Sequence, residues 1–172
     1  GIAGFYIGTW AIDDGGTAGG EDGFETDFYL GYGMEHGIFS WDVNYTRYEY
    51  TYTGDYEQEI GVNLGLAGVS LGLVAGEDKD VGLDAVDYNV FTLGYGYDIY
   101  SVSVGHYVAD GGTAADPKYS WAEFAVAGEV SGFDVGLTVG TTFGVKEDAL
   151  GLGATKSGDG YIFLDVSKSF SF

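Results

Sequence analysis

The chain has 172 residues, enough for one domain with a real core or a modest barrel, and 32 of them are glycine against a single proline. Twenty-seven acidic residues face six basic ones, a net charge of −21 that repels nucleic acid and anionic headgroups and favours cations or basic partners. Cysteine is absent, so disulfides and thiolate metal sites are excluded, and 45 % hydrophobic content argues against the disorder that such acidity can signal.

No signal-peptide pattern is present, and no apolar run reaches the about 18 residues of a membrane helix. The chain opens directly on GIAGFYIGTW, inside an expected strand over 3–12, so further sequence is expected upstream. Over 24–34, Phe24, Phe28, Leu30, Tyr32 and Met34 alternate with Glu25, Asp27, Tyr29, Gly31 and Gly33. That is the period of a strand with one apolar and one polar face. Over 38–51, Phe39, Trp41, Val43 and Tyr45 oppose Ser40, Asp42, Asn44 and Thr46, and over 56–67 Ile60, Val62, Leu64 and Leu66 oppose Glu57, Glu59, Gly61 and Asn63. Strands follow over 69–76, 88–97 and 100–109, with Ser70, Gly72, Thr92, Gly94, Ser101 and Ser103 on the polar side. Over 120–130 and 133–144, Phe124, Val126, Phe133, Val135 and Leu137 oppose Glu123, Glu129, Asp134 and Gly136. The last strand, 160–172, sets Ile162, Leu164, Val166, Phe170 and Phe172 against Asp165, Ser167, Ser169 and Ser171. Ten strands and no helix are expected.

Short connections near 35–37, 67–68, 97–99 and 131–132 alternate with longer acidic, Gly-rich ones near 13–23, 76–87, 109–119 and 145–159, and a shorter one near 52–56. That alternation is an up-and-down meander with its large loops at one end, and closure into a barrel removes the exposed edges. The polar side is small and Gly-rich rather than Lys- and Glu-rich, so it reads as a confined interior, and the apolar side as lipid-facing. Aromatic residues gather at the strand ends. Phe39, Trp41, Tyr95, Tyr97, Tyr100, Phe133, Phe170 and Phe172 lie near the short turns as an expected membrane girdle. Tyr45, Tyr48, Tyr50, Tyr56, Tyr88, Trp121, Phe143 and Tyr161 lie toward the long loops. The expected fold is an all-β, antiparallel, up-and-down transmembrane β-barrel spanning 1–172 as one domain.

The runs GFYIGTWAID, FETDFYLGYG and FSWDVNYTRYEY resemble the TorF-type porin family of proteobacterial outer membranes, specifically over residues 4–52. The terminal Phe172 also resembles the C-terminal insertion signal of outer-membrane barrels. The family pattern carries further sequence ahead of the Gly-Thr-Trp segment, which implies two more strands and twelve in the full protein. The resemblance implies an outer-membrane location in a Gram-negative bacterium and a porin-like fold.

The inward parity carries Glu25, Asp27, Asp42, Glu57, Glu59, Glu123, Glu129, Asp134 and Asp165, and no Lys or Arg. Such a lining concentrates cations; alternatively, the carboxylates bond to inward hydroxyls and plug the barrel, since small barrels are packed with side chains. Glu25, Asp27, Glu57, Glu59, Glu123 and Asp165 are expected in the half nearer the long loops, and Asp42, Glu129 and Asp134 nearer the short turns. Asp78, Asp80, Asp84 and Asp87 in one loop, and Asp13, Asp14, Glu21 and Asp22 in another, could supply oxygen ligands to a divalent ion, but neither has EF-hand spacing and solvated loops are the favoured reading. No resident cofactor is expected. GLGATKSGDG lacks the phosphate-loop order. His36 and His106 show no Ser and carboxylate at triad parity, so no enzyme is expected. Arg47 and Lys168, on the outward parity, suit snorkelling to headgroups.

The function expected is passive, cation-preferring diffusion of small solutes, an ion-transport role. The alternative is a closed structural or docking barrel whose acidic external loops bind divalent cations or a basic partner. Partners are membrane lipid and, beyond it, a homo-oligomer or another surface protein, with no nucleic acid.

Overall fold

Two-residue turns set the architecture. Ala67 and Gly68, and likewise Ser131 and Gly132, all have positive φ, the conformation that turns one twisted strand tightly back on the next. In the computed structural model, which describes residues 4–13, 23–51, 55–79, 84–110, 118–144 and 160–168, these turns join strands into one sheet. The strands are β1 (Phe5–Asp13), β2 (Phe24–His36), β3 (Phe39–Tyr50), β4 (Tyr56–Leu66), β5 (Val69–Lys79), β6 (Val86–Tyr97), β7 (Tyr100–Asp110), β8 (Lys118–Val130), β9 (Phe133–Phe143) and β10 (Gly160–Ser167). Each pairs antiparallel with the next in sequence, and no helix occurs among the described residues. The ten expected strands are therefore present, with ends moved by a few residues.

Closure is where the structure departs from expectation. Among the described residues, β1 pairs only with β2 and β10 only with β9, so the strands form an open sheet with two edges.

The register carries the alternation across the whole sheet. Trp10, Asp27, Tyr48, Glu57 and Asp78 form one cross-strand row on the polar face, and Phe28, Arg47 and Gln58 a row on the other. Among the described residues, every buried one, namely Asp27, Gly31, Gly61, Gly72, Tyr88, Gly105 and Ala109, lies on the polar face. The apolar face is the open one. Phe28, Leu30, Leu64, Leu93, Val104, Leu137 and Leu164 are exposed, and Val62 and Val126 are half-buried. Trp10, Ile12 and Phe163 are apolar side chains exposed on the polar face, and all three sit on the edge strands.

Two turn glycines separate conformational strain from crowding. A Cβ on Gly132 (φ 78°) meets nothing within 4 Å, whereas one on Gly68 (φ 86°) meets the Gly96 carbonyl oxygen at 2.6 Å. Gly132→Ala should therefore cost about 1 kcal/mol from positive φ alone, and Gly68→Ala distinctly more. Urea unfolding of the refolded protein, followed by tryptophan fluorescence, checks the order; equal costs would contradict it.

Candidate functional site

All nine carboxylates assigned by alternation to the polar face are on it, and the register divides them into separate groups. Neighbouring strands stand about 4.8 Å apart, so a side chain must cross about 9.5 Å to reach the next strand but one. Tyrosine does this at three places where the strand between carries glycine. Tyr88 on β6 lies over Gly76 on β5, and its hydroxyl donates to Glu59 on β4 at 2.7 Å. Tyr161 on β10 lies over Gly140 on β9 and donates to Glu123 on β8 at 2.9 Å. Tyr6 on β1 lies over Gly31 on β2 and donates to both oxygens of Asp42 on β3, at 2.9 and 3.0 Å.

The largest group is at the long-loop end of β2–β6. Glu59 also accepts from Tyr48 (3.0 Å), and Glu57 accepts from Tyr50 (3.4 Å) while standing opposite Asp78. Glu25 and Asp27 extend the group to β2, directly across from Tyr50 and Tyr48. Asp27 is 9 % exposed, and its Oδ1 is buried with no hydrogen-bond partner. Two smaller groups lie further down. Asp42 takes a further bond from Asn44 (2.7 Å), and Glu123 one from Ser103 (2.9 Å).

Asp165 is not in the half nearer the long loops. The β9–β10 register, with Ile162 opposite Val139 and Leu164 opposite Leu137, sets Asp165 against Gly136, near the β8–β9 turn. There it lines a hollow with Glu129 and Asp134.

Tyr48, Tyr50, Tyr88, Trp121 and Tyr161 do not point into a girdle. They share the parity of the carboxylates and fill the polar face. An aromatic column follows from them: Tyr88 to Tyr107 (5.5 Å between ring centroids), Tyr107 to Tyr119 (5.2 Å) and Tyr119 to Trp121 (5.9 Å). Near the short turns, Phe39, Trp41, Tyr95, Tyr97, Tyr100 and Phe133 do lie on the apolar face. Phe170 and Phe172 lie outside the described residues.

The outer face has its own polar belt beside the long loops. Arg47 pairs with Glu49 and stands over the Tyr56 ring (4.1 Å to its centroid), and Tyr45 donates to Gln58 (3.1 Å). Lys168, at the opposite rim, stands 4.7 Å from the Phe133 ring centroid. His106 Nδ1 meets Ser120 Oγ at 2.8 Å on this face, a proximity the sequence did not suggest. Of the loop carboxylates, Asp78 is on the polar face of β5, Asp87 on the opposite face of β6, and Asp84 precedes β6, while Asp80, Asp14, Glu21 and Asp22 lie outside the described residues. Among the described residues no three His, Asp or Glu side chains gather closely enough to hold a metal ion.

No family model, curated protein or solved structure matches the chain.

The Tyr88–Gly76–Glu59 row is directly testable. Tyr88→Phe removes one donor from Glu59 and should lower stability by about 1–2 kcal/mol. Gly76→Ala would place a Cβ 2.2 Å from Tyr88 Cζ and should cost at least as much, because the ring must leave its place. In the double variant the two losses should add to less than their sum, since both break one contact. Full additivity in urea unfolding would contradict the row.

Proposed function

We propose that the chain forms a barrel of a Gram-negative outer membrane, akin to the TorF-type porins it resembles, through which small solutes diffuse with a preference for cations. One observation carries the reading: the polar face bears the nine carboxylates, whereas the strand-borne basic residues Arg47, Lys79 and Lys118 all have the opposite parity. Low-dielectric walls focus such a field, so anions meet a barrier of several kT.

The exposure pattern supports a lipid setting. A Leu, Phe or Val left in water forfeits about 1.5–3 kcal/mol relative to full burial. Repeated over a whole sheet face, that exceeds the about 5–15 kcal/mol by which a domain is stable. Lipid removes the cost and equally demands that backbone groups at the edges be paired, so β1 and β10 must be brought together or covered there. The closed structural barrel remains a second reading, favoured by the tyrosines that lie across the glycines and occupy interior space.

Single-channel recording of the refolded chain in a planar bilayer separates the two. Conductance steps with a cation-selective reversal potential under a KCl gradient are expected, and silence would support the closed barrel. Glu57→Gln with Glu59→Gln should shift the reversal potential toward zero, and Asp165→Asn, at the other end, should shift it less. Anion selectivity of the unaltered chain would overturn the mechanism.

A further inference from the structure

We propose that the long-loop end of the polar face is a binding site for organic cations, a protonated amine carried on an apolar or aromatic body. The inference deepens the cation-preferring reading above and rests on it for the route by which such a solute arrives.

Acidic residues alone would recommend any cation, so the choice rests on two further observations. Asp27 Oδ1 is buried without a hydrogen-bond partner. A desolvated carboxylate oxygen left in that state is costly, and a charged donor removes the cost. The described carboxylates do not converge as a metal requires, so a bare divalent ion is a poor fit. A primary ammonium, with three donors on one small head, needs no such convergence. Asp27 stands in the row between Trp10 and Tyr48. Trp10, directly across from Asp27 and 50 % exposed, offers a ring face to a charge held there.

The second observation is the aromatic column. Tyr107 and Tyr119, on β7 and β8, stack at 5.2 Å on the same face. Tyr88, which stacks on Tyr107 at 5.5 Å, donates its hydroxyl to Glu59 at 2.7 Å, so the column adjoins the acidic group rather than standing apart from it. Rings beside carboxylates offer a platform for an apolar body whose charged end is held by the acids. A hydrated inorganic ion has no use for that platform.

The test titrates phenethylammonium into the refolded full chain in detergent micelles and reads heat by calorimetry, with phenethyl alcohol as the neutral isostere and Mg²⁺ as the inorganic comparison. Saturable binding of the amine is expected, with no saturable signal for the alcohol and weaker binding of Mg²⁺. Asp27→Asn should weaken amine binding about tenfold or more, and Glu77→Gln, on the opposite face, should leave it unchanged. Should Asp27→Asn fail to fold, Trp10→Ala replaces it, with a loss of several-fold expected. Equal binding of amine and alcohol, tighter Mg²⁺ binding, or no loss in the variant would overturn the site. Bilayer recording keeps the two proposals apart. A chain that binds the amine but never conducts keeps the site and loses the pore, whereas one that conducts selectively without binding the amine loses only the site.

Discussion

A tyrosine laid flat across a glycine, with its hydroxyl on a carboxylate one strand further, is the contact on which the polar face depends. It solves two problems together. Glycine in a strand lacks a side chain to pack and weakens the sheet, and a carboxylate facing away from bulk water needs donors. Tyr88 over Gly76 to Glu59, Tyr161 over Gly140 to Glu123, and Tyr6 over Gly31 to Asp42 meet both needs in three places. Each contact ties three strands together by side chains, beyond the backbone ladder.

The same contact shapes what the acidic face can do. Where tyrosines supply the donors, as at Glu59 with Tyr48 and Tyr88, the carboxylate is held in place and its charge has a fixed position. Asp27 differs, because one of its oxygens has no donor. The face is therefore not a uniform negative surface. Asp42, Glu57, Glu59 and Glu123 are anchored charges, and Asp27, at the long-loop end, has a buried oxygen without a donor.

Strands were legible because alternation is a local property. Phe28, Leu30 and Tyr32 against Asp27, Tyr29 and Gly31 fix both the strand and its two faces without reference to any partner. The two-residue turns were legible for the same reason, with Gly68 and Gly132 marking positions of positive φ. What local pattern could not supply was register. Asp165 is the sixth residue of β10, but its height depends on which residue of β9 it opposes, and that is Gly136. Contacts between next-but-one strands, such as Tyr88 with Glu59, depend on two registers at once. The inward tyrosines carried a usable signal in their parity, which their height along the strand does not carry. Closure of the sheet, by contrast, is a property of its two edges, and no alternation within a strand encodes it.

The central claim is that the apolar face meets lipid and the polar face an aqueous interior. A chain without cysteine permits a direct test. Spin labels on single cysteines at Val102, exposed on the apolar face, and at Ser101, its neighbour on the polar face, report access to oxygen, which concentrates in lipid, and to a water-soluble nickel chelate. In liposomes the account predicts that the label at 102 is relaxed by oxygen and the label at 101 by nickel, with the same alternation for Leu93 and Gly94 on β6. Nickel access at 102 and 93, with 101 and 94 shielded, would mean that the faces are reversed and would contradict the account.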